Sequence, residues 1–177
     1  MRNANYFQIV MADNDADGVA YAPDNVERAM LYERVVPKNW VTIQFELKDG
    51  RRTDYQANNL GWHLCSDRMK SILDEIADET VGICWLPVSL KEGLEVVRYH
   101  ALHLTEVHDV LSKSRSLIIH GVAAKPVFNE AKVGARHVFA CLENPSRVFV
   151  SEDVCKRLKA AQLTGLDFLA WSSTTDP

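Results

Sequence analysis

Residues 81–104 read VGICWLPVSLKEGLEVVRYHALHL, and this stretch decides the fold class. Its first part, Val81 to Leu90, is a nearly continuous apolar run bent at Pro87, which predicts a buried strand. Glu92-Gly93 predicts a turn. From Leu94 to Leu104 two sets of side chains alternate with a period of two, which predicts a second strand directly after the turn.

Other segments on both sides of this stretch also show strand or helix patterns. Strands are predicted at about 6–11, 41–47, 82–90, 94–104 and 136–150, and helices at about 26–35, 67–77 and 152–162. Strands and helices do not alternate regularly, so the predicted class is α+β: a mostly antiparallel sheet with about three packed helices. A chain of 177 residues is expected to form a single domain, 1–177, with a polar tail that frays over 172–177.

The predicted ends of two helices rest on particular side chains. Ser66 and Ser151 each precede an acidic first turn, which is typical of helix N-caps. Gly165 follows the last helix, where a left-handed residue commonly ends a helix. The sequence therefore predicts that Leu166 and Phe168 turn back and pack beside that helix.

Composition and charge narrow the class of protein. Hydrophobic residues make up 47% and charged residues 25%, close to the globular average, which argues against a disordered or fibrous chain. The net charge of −4 offers no basic excess for nucleic-acid binding. No signal peptide or membrane span is apparent. Widely spaced cysteines without a C-x-x-C motif indicate free buried thiols and a cytoplasmic protein: Cys65, Cys84, Cys141 and Cys155.

One acidic loop has part of the pattern of a calcium site. Asp13, Asp15, Asp17 and Asp24 occupy ligand positions, with Gly18 at the sixth place. The twelfth position carries Asp24 instead of the longer glutamate, and a strand precedes the loop where a helix is expected. A calcium- or ligand-responsive module remains an alternative, but we predict no tight calcium binding.

The histidines and serines match no catalytic motif. G-x-S-x-G, H-E-x-x-H, Walker and G-x-G-x-x-G patterns are absent from the sequence. His100 and His103 point to opposite faces of their predicted strand, so they cannot share one metal ion. A small enzyme would need a pocket assembled from distant residues, such as His100, His103 or His137 with a carboxylate. No catalytic residue, cofactor or metal ligand is assigned.

Several pieces of the second half resemble a known family. A strand–Ser–helix unit at Val148–Glu152 is followed by the ending Leu163-Thr164-Gly165-Leu166-Asp167-Phe168. Upstream pieces fit the same order: Gly61–Arg68, Trp85-Leu86-Pro87-Val88, Val107–Ser112 and His137-Val138-Phe139. Over residues 58–168 the chain is similar to the eleventh immunity-protein family of bacterial polymorphic toxin systems.

The resemblance implies a small, non-catalytic, cytoplasmic antidote that binds and neutralises a toxin encoded beside it. The expected partner is that cognate toxin, not a membrane or a nucleic acid. The acidic net charge would suit a basic nuclease through electrostatic steering. The motif residues already have structural explanations as caps, turns and core, so no partner-binding residue is carried over from the family.

Overall fold

The computed structural model describes residues 6–27, 31, 34–76 and 82–175. Within these ranges the strands are β1 (Tyr6–Met11), β2 (Ala20–Tyr21), β3 (Ile43–Leu47), β4 (Tyr55–Gln56), β5 (Leu64–Ser66), β6 (Ile83–Glu92), β7 (Glu95–Leu104), β8 (Leu117–Ile119), β9 (Val122–Lys125), β10 (Phe128–Asn129), β11 (Val138–Cys141), β12 (Asn144–Ser151), β13 (Leu166–Trp171) and β14 (Ser173–Thr174). The helices are α1 (Asp67–Ile76), α2 (Glu130–Val133) and α3 (Glu152–Ala160).

The predicted hairpin over 82–104 is the longest pairing in the fold. Strands β6 and β7 pair antiparallel from Ile83↔Leu104 to Glu92↔Glu95. They lie at the centre of a six-stranded sheet of order β2-β3-β6-β7-β5-β4, in which only β3 and β6 are parallel. A second sheet, β11-β12-β1-β13, is antiparallel throughout. The mostly antiparallel α+β class is therefore confirmed.

Two of the predicted helices form with bounds within two residues of the prediction. The Ser66 hydroxyl accepts the Met69 amide of α1 (3.3 Å), and the Ser151 hydroxyl accepts the Val154 amide of α3, so both serines are N-caps. The helix predicted over 26–35 includes 28–30 and 32–33, which lie outside the described residues. The third described helix, α2, has only four residues, too few to show a helical period in the sequence. No described helix is both long and apolar enough to cross a membrane.

The two large sheets and the helices divide the core into three clusters. In β12, Val148 and Val150 belong to the first cluster and Phe149 to the third. In β7, Leu102 belongs to the first cluster and Ala101 to the second. The first cluster therefore lies between the two sheets, together with the buried faces of α1 and α3. The third cluster, on the outer face of the four-stranded sheet, is built from packed aromatic rings: Tyr6, Phe128, Phe139 and Phe149.

The C-terminal part differs from the prediction. Residues 166–171 form strand β13, which the sequence analysis missed, and it pairs with β1 along its whole length. The predicted frayed tail is wrong for Ser173–Thr174, which form β14, pair with β10 and are buried. The Phe128 amide donates to the Ser172 carbonyl (3.0 Å), and the Ser173 hydroxyl donates to Glu130 (2.7 Å). These bonds hold a segment whose polar composition alone indicated disorder.

Candidate functional site

The family-like ending at Thr164-Gly165 docks on the segment before β4. Both the amide and the hydroxyl of Thr164 donate to Asp54 Oδ2 (3.0 and 3.2 Å), and the Ser66 hydroxyl donates to Oδ1 (2.7 Å). The Tyr55 amide in turn donates to the Thr164 carbonyl (3.0 Å). Asp54 thus joins the caps and turns of distant segments and is itself buried. These polar groups serve the fold.

Gly165 does not end α3, contrary to the prediction. The helix ends at Ala160, and the left-handed residue behind it is Gln162, with φ of 52°. Gly165 has φ of 80°, and a Cβ there would lie 2.5 Å from the Tyr55 carbonyl oxygen and would overlap the Thr53 side chain. Glycine is therefore required both by its backbone conformation and by the close approach of another chain segment.

A cluster of charged side chains lies at the start of α1. The Asp67 carboxylate accepts three hydrogen bonds from Arg98 (3.1, 3.2 and 2.9 Å) and one from His100 (2.6 Å). These hydrogen bonds, Arg98 first, hold the pKa of the Asp67 carboxyl below its usual value. Arg68, whose side chain is mostly exposed, reaches Asp54 at 3.4 Å. Opposite charges in this 240 Å³ depression are paired with one another, which is typical of a structural network.

The histidines proposed for an assembled catalytic pocket do not come together. His100 contacts Asp67 and the Trp85 ring, His103 Nε2 donates to the Val35 carbonyl (3.0 Å), and His137 Nδ1 contacts the Ser151 hydroxyl (2.9 Å). His100 and His103 lie on opposite faces of β7, as predicted, because they are three residues apart and side chains alternate between the two faces of a strand. Only His100 has a carboxylate partner among these three.

A partly open cavity lined by residues of both large sheets contains His63, a histidine that was not proposed as a site residue from the sequence. The Tyr55 hydroxyl donates a hydrogen bond to His63 Nδ1, and His63 Nε2 donates one to the Ser146 carbonyl (3.0 Å). Arg34 donates to the Leu104 carbonyl (2.8 Å) at the same cavity. Burial lowers the pKa of both His63 and His103 there, which favours the neutral form of each ring. At about 70 Å³ the cavity holds a few water molecules and no substrate of ordinary size.

The acidic loop is attached to the sheet by one of its own carboxylates. Asp17 accepts a bond from Arg51 Nε (2.6 Å), and the Gly18 amide donates to the Arg51 carbonyl (3.0 Å). Asp13, Asp15 and Asp24 are exposed. In the part of the chain that the structure describes, no three histidine, cysteine or acidic side chains converge as a metal site. The spacing that looks like a calcium loop coincides with a structural loop.

The thiols have the surroundings that the sequence predicted. Cys65, Cys141 and Cys155 are buried, and Cys84 is partly buried. Burial raises the pKa of the Cys65 thiol and raises that of Cys141 to about 11. These two thiols are therefore protonated at neutral pH and are poor nucleophiles.

Comparison with known protein families identifies the family of this chain. The sequence model described as the immunity protein family Imm11 matches residues 35–173, most of the chain. The chain belongs to the Imm11 immunity protein family. No curated protein matches it. The match begins and ends beyond the predicted resemblance over 58–168, and it leaves β1 outside, although β1 lies between β12 and β13 in the four-stranded sheet.

Proposed function

We propose that this chain is a cytoplasmic immunity protein that binds and neutralises a cognate toxin encoded by a neighbouring gene of a polymorphic toxin system. The observation that carries the proposal is the family match over residues 35–173. The action is stoichiometric: the protein covers the active site of the toxin, and it requires no membrane, nucleic acid or cofactor.

The internal chemistry of the fold is consistent with a non-catalytic role. The Asp54 carboxylate accepts hydrogen bonds from Thr164 and Ser66, and the Asp67 carboxylate accepts them from Arg98 and His100. His63 and His103 hold backbone carbonyls at a cavity too small for a substrate. General acid–base or nucleophilic chemistry needs such groups to face a substrate, whereas here they hold the chain segments together.

Co-expression with the toxin tests the proposal directly. The C-terminal domain of the large secreted protein encoded next to this gene would be expressed alone and together with this chain. We expect arrested growth with the toxin domain alone, normal growth with both, and co-elution of the two purified proteins in a 1:1 complex. A toxin domain that stays fully active in a molar excess of this chain, with no complex, would contradict an immunity role.

A further inference from the structure

We propose that the outer face of the β8–β9 hairpin is the surface that docks on the toxin, and that the matching patch of the toxin is apolar with an acidic rim. The inference rests on the proposed function and names the surface that carries it out.

The hairpin stands apart from the rest of the sheet structure. Strands β8 and β9 form a two-stranded sheet, and within the described ranges neither strand pairs with a third. Ile119 and Val122 pair across His120 and Gly121, which both have left-handed φ angles of 49° and 81°. Two consecutive left-handed residues form a type I′ turn, the connection that best fits the twist of a hairpin. A Cβ built on Gly121 meets nothing within 4 Å, so the turn projects into open space.

The two faces of the hairpin have different roles. Ala123 is buried in the third core cluster and Ile118 packs against that cluster, and the Asn144 side chain donates to the Ala123 carbonyl (2.9 Å). The opposite face presents Leu117, Ile119 and Val122, which are 55%, 49% and 50% exposed. A hairpin held by its inner face thus exposes three large aliphatic side chains on its outer face.

A group of large exposed apolar side chains is unusual on a protein surface that binds no partner. Twelve large apolar side chains are exposed in the described part of the chain, and three of them lie on this one hairpin. A fourth, Leu142, lies in the turn before Asn144, and the Asn144 side chain is bonded to Ala123 of β9. Single exposed aliphatic residues need no explanation, whereas a contiguous apolar group marks an interaction site. The tight turn also means that little conformational entropy is lost when a partner binds.

The chain segment that contains the hairpin is basic, although the whole protein is acidic. The chain has a net charge of −4, yet residues 109–144, which include the turn with Leu142, contain five basic and three acidic side chains. Lys125 is the cross-strand partner of Leu117, and Asp109 is shared between Lys113 and Lys132 at 3.6 and 3.4 Å. An apolar centre with a basic rim complements an apolar patch with an acidic rim. This local charge, more than the net charge, selects the docking patch of the toxin.

The matched control is the other hairpin tip that exposes an aliphatic side chain. Leu94, in the β6–β7 turn, is fully exposed, but Glu92 and Glu95 lie beside it. Arg52 pairs with both of these glutamates (3.2 and 3.3 Å). Ile119→Asp and Leu94→Asp therefore make the same chemical change on two exposed hairpin tips, of which only the first is proposed to contact the toxin. Neither side chain is in the buried core, so both variants are expected to unfold at the wild-type denaturant concentration.

The probe is the purified toxin domain encoded by the adjacent gene, titrated calorimetrically against the wild type and both variants. We expect Ile119→Asp to weaken binding at least tenfold and Leu94→Asp to leave the dissociation constant within twofold. If the wild type binds and Ile119→Asp binds equally well, the hairpin is not the interface although the proposed function stands. If the wild type does not bind, the proposed function fails and this inference fails with it.

A second pair of variants tests the charge of the rim. We expect Lys125→Glu to slow association several-fold in low salt, and Lys38→Glu, an exposed lysine two residues before Trp40 of the second cluster, to leave the rate unchanged. Faster association of Lys125→Glu would mean that the patch on the toxin is basic and would overturn the acidic rim. A wild-type dimer that Ile119→Asp converts to a monomer, with toxin binding intact, would assign the face to self-association instead.

Discussion

Gly165 and Gly121 have almost the same backbone conformation, with φ of 80° and 81°, in opposite surroundings. Gly165 lies against Thr53 and Tyr55 so closely that no side chain fits, whereas nothing approaches Gly121. The first glycine belongs to the docking of residues 163–165 on 53–55, which joins distant parts of the fold. The second belongs to the β8–β9 hairpin, whose outer face exposes Leu117, Ile119 and Val122. The comparison separates residues that maintain the structure from residues that are available to a partner.

The largest effect is expected from Gly165→Ala. Alanine adds left-handed strain and forces its Cβ into the Tyr55 carbonyl and the Thr53 side chain, so the segment must move away. We expect the free energy of unfolding to fall by about 3–4 kcal/mol, more than strain alone would give. Urea denaturation measures this loss. A loss of about 1 kcal/mol or less would mean that the close approach to Tyr55 is absent in solution.

A smaller loss is expected from Asp54→Ala. The substitution leaves the Thr164 amide and the Ser66 hydroxyl without the acceptor that they share in a buried site. Unpaired buried donors destabilise a protein, and here we expect about 2–3 kcal/mol in the same denaturation experiment. The matched control is Asp13→Ala at an exposed carboxylate, which should change stability by less than about 0.5 kcal/mol. Equal losses of stability at the two positions would mean that the buried hydrogen bonds of Asp54 do not stabilise the fold.

Acid should destabilise the protein through His63 and His103. His63 and His103 have pKa values lowered by burial, so the unfolded chain binds protons more readily than the native protein. Their contribution to stability is therefore complete above about pH 6.5, the ordinary histidine pKa, and is lost as the pH falls below it. Denaturation midpoints measured from pH 7.5 to 5 should decline, and the decline should be shallower in a His63→Gln/His103→Gln variant. Parallel curves for the two proteins would contradict the assignment.

Gly121→Ala is expected to destabilise the protein less than Gly165→Ala or Asp54→Ala does. Only the left-handed conformation opposes the substitution, because no atom lies near the new Cβ. We expect a loss of about 1 kcal/mol, in contrast to the larger loss at Gly165. Thermal and urea denaturation of both alanine variants under one buffer condition measures the contrast directly. Similar losses at the two glycines would show that the close contacts around Gly165 add nothing to the destabilisation.

The parts of the fold that depend on local pattern could be predicted from the sequence. The apolar run before Pro87 and the period of two after Gly93 predicted β6 and β7, and the serine caps predicted the starts of α1 and α3. These features are determined by residues that lie close together in the chain, which is why the sequence reveals them.

Features that depend on a distant partner were missed. Strand β13 forms against β1, more than 150 residues away in the chain, and a polar tail that fills an edge beside Phe128 is ordered by that neighbour. Gly165 was correctly singled out, but for the wrong reason, because the segment that crowds it lies before β4. All three residues of β8 are apolar, and sequence alone cannot tell which face of such a strand remains exposed. The local excess of basic residues around it could have been counted.

Residues that maintain the fold and residues that bind the toxin are distinguished most directly by measuring stability and toxin affinity together for Gly165→Ala and Ile119→Asp. Each variant would be denatured in urea and, under folding conditions, titrated with the toxin domain from the adjacent gene. We predict that Gly165→Ala loses about 3–4 kcal/mol of stability but binds with the wild-type dissociation constant once corrected for its folded fraction. Ile119→Asp should keep its stability and lose at least tenfold in affinity. Normal affinity of Ile119→Asp, with weakened binding by fully folded Gly165→Ala, would place the interface on the family signature and contradict the account.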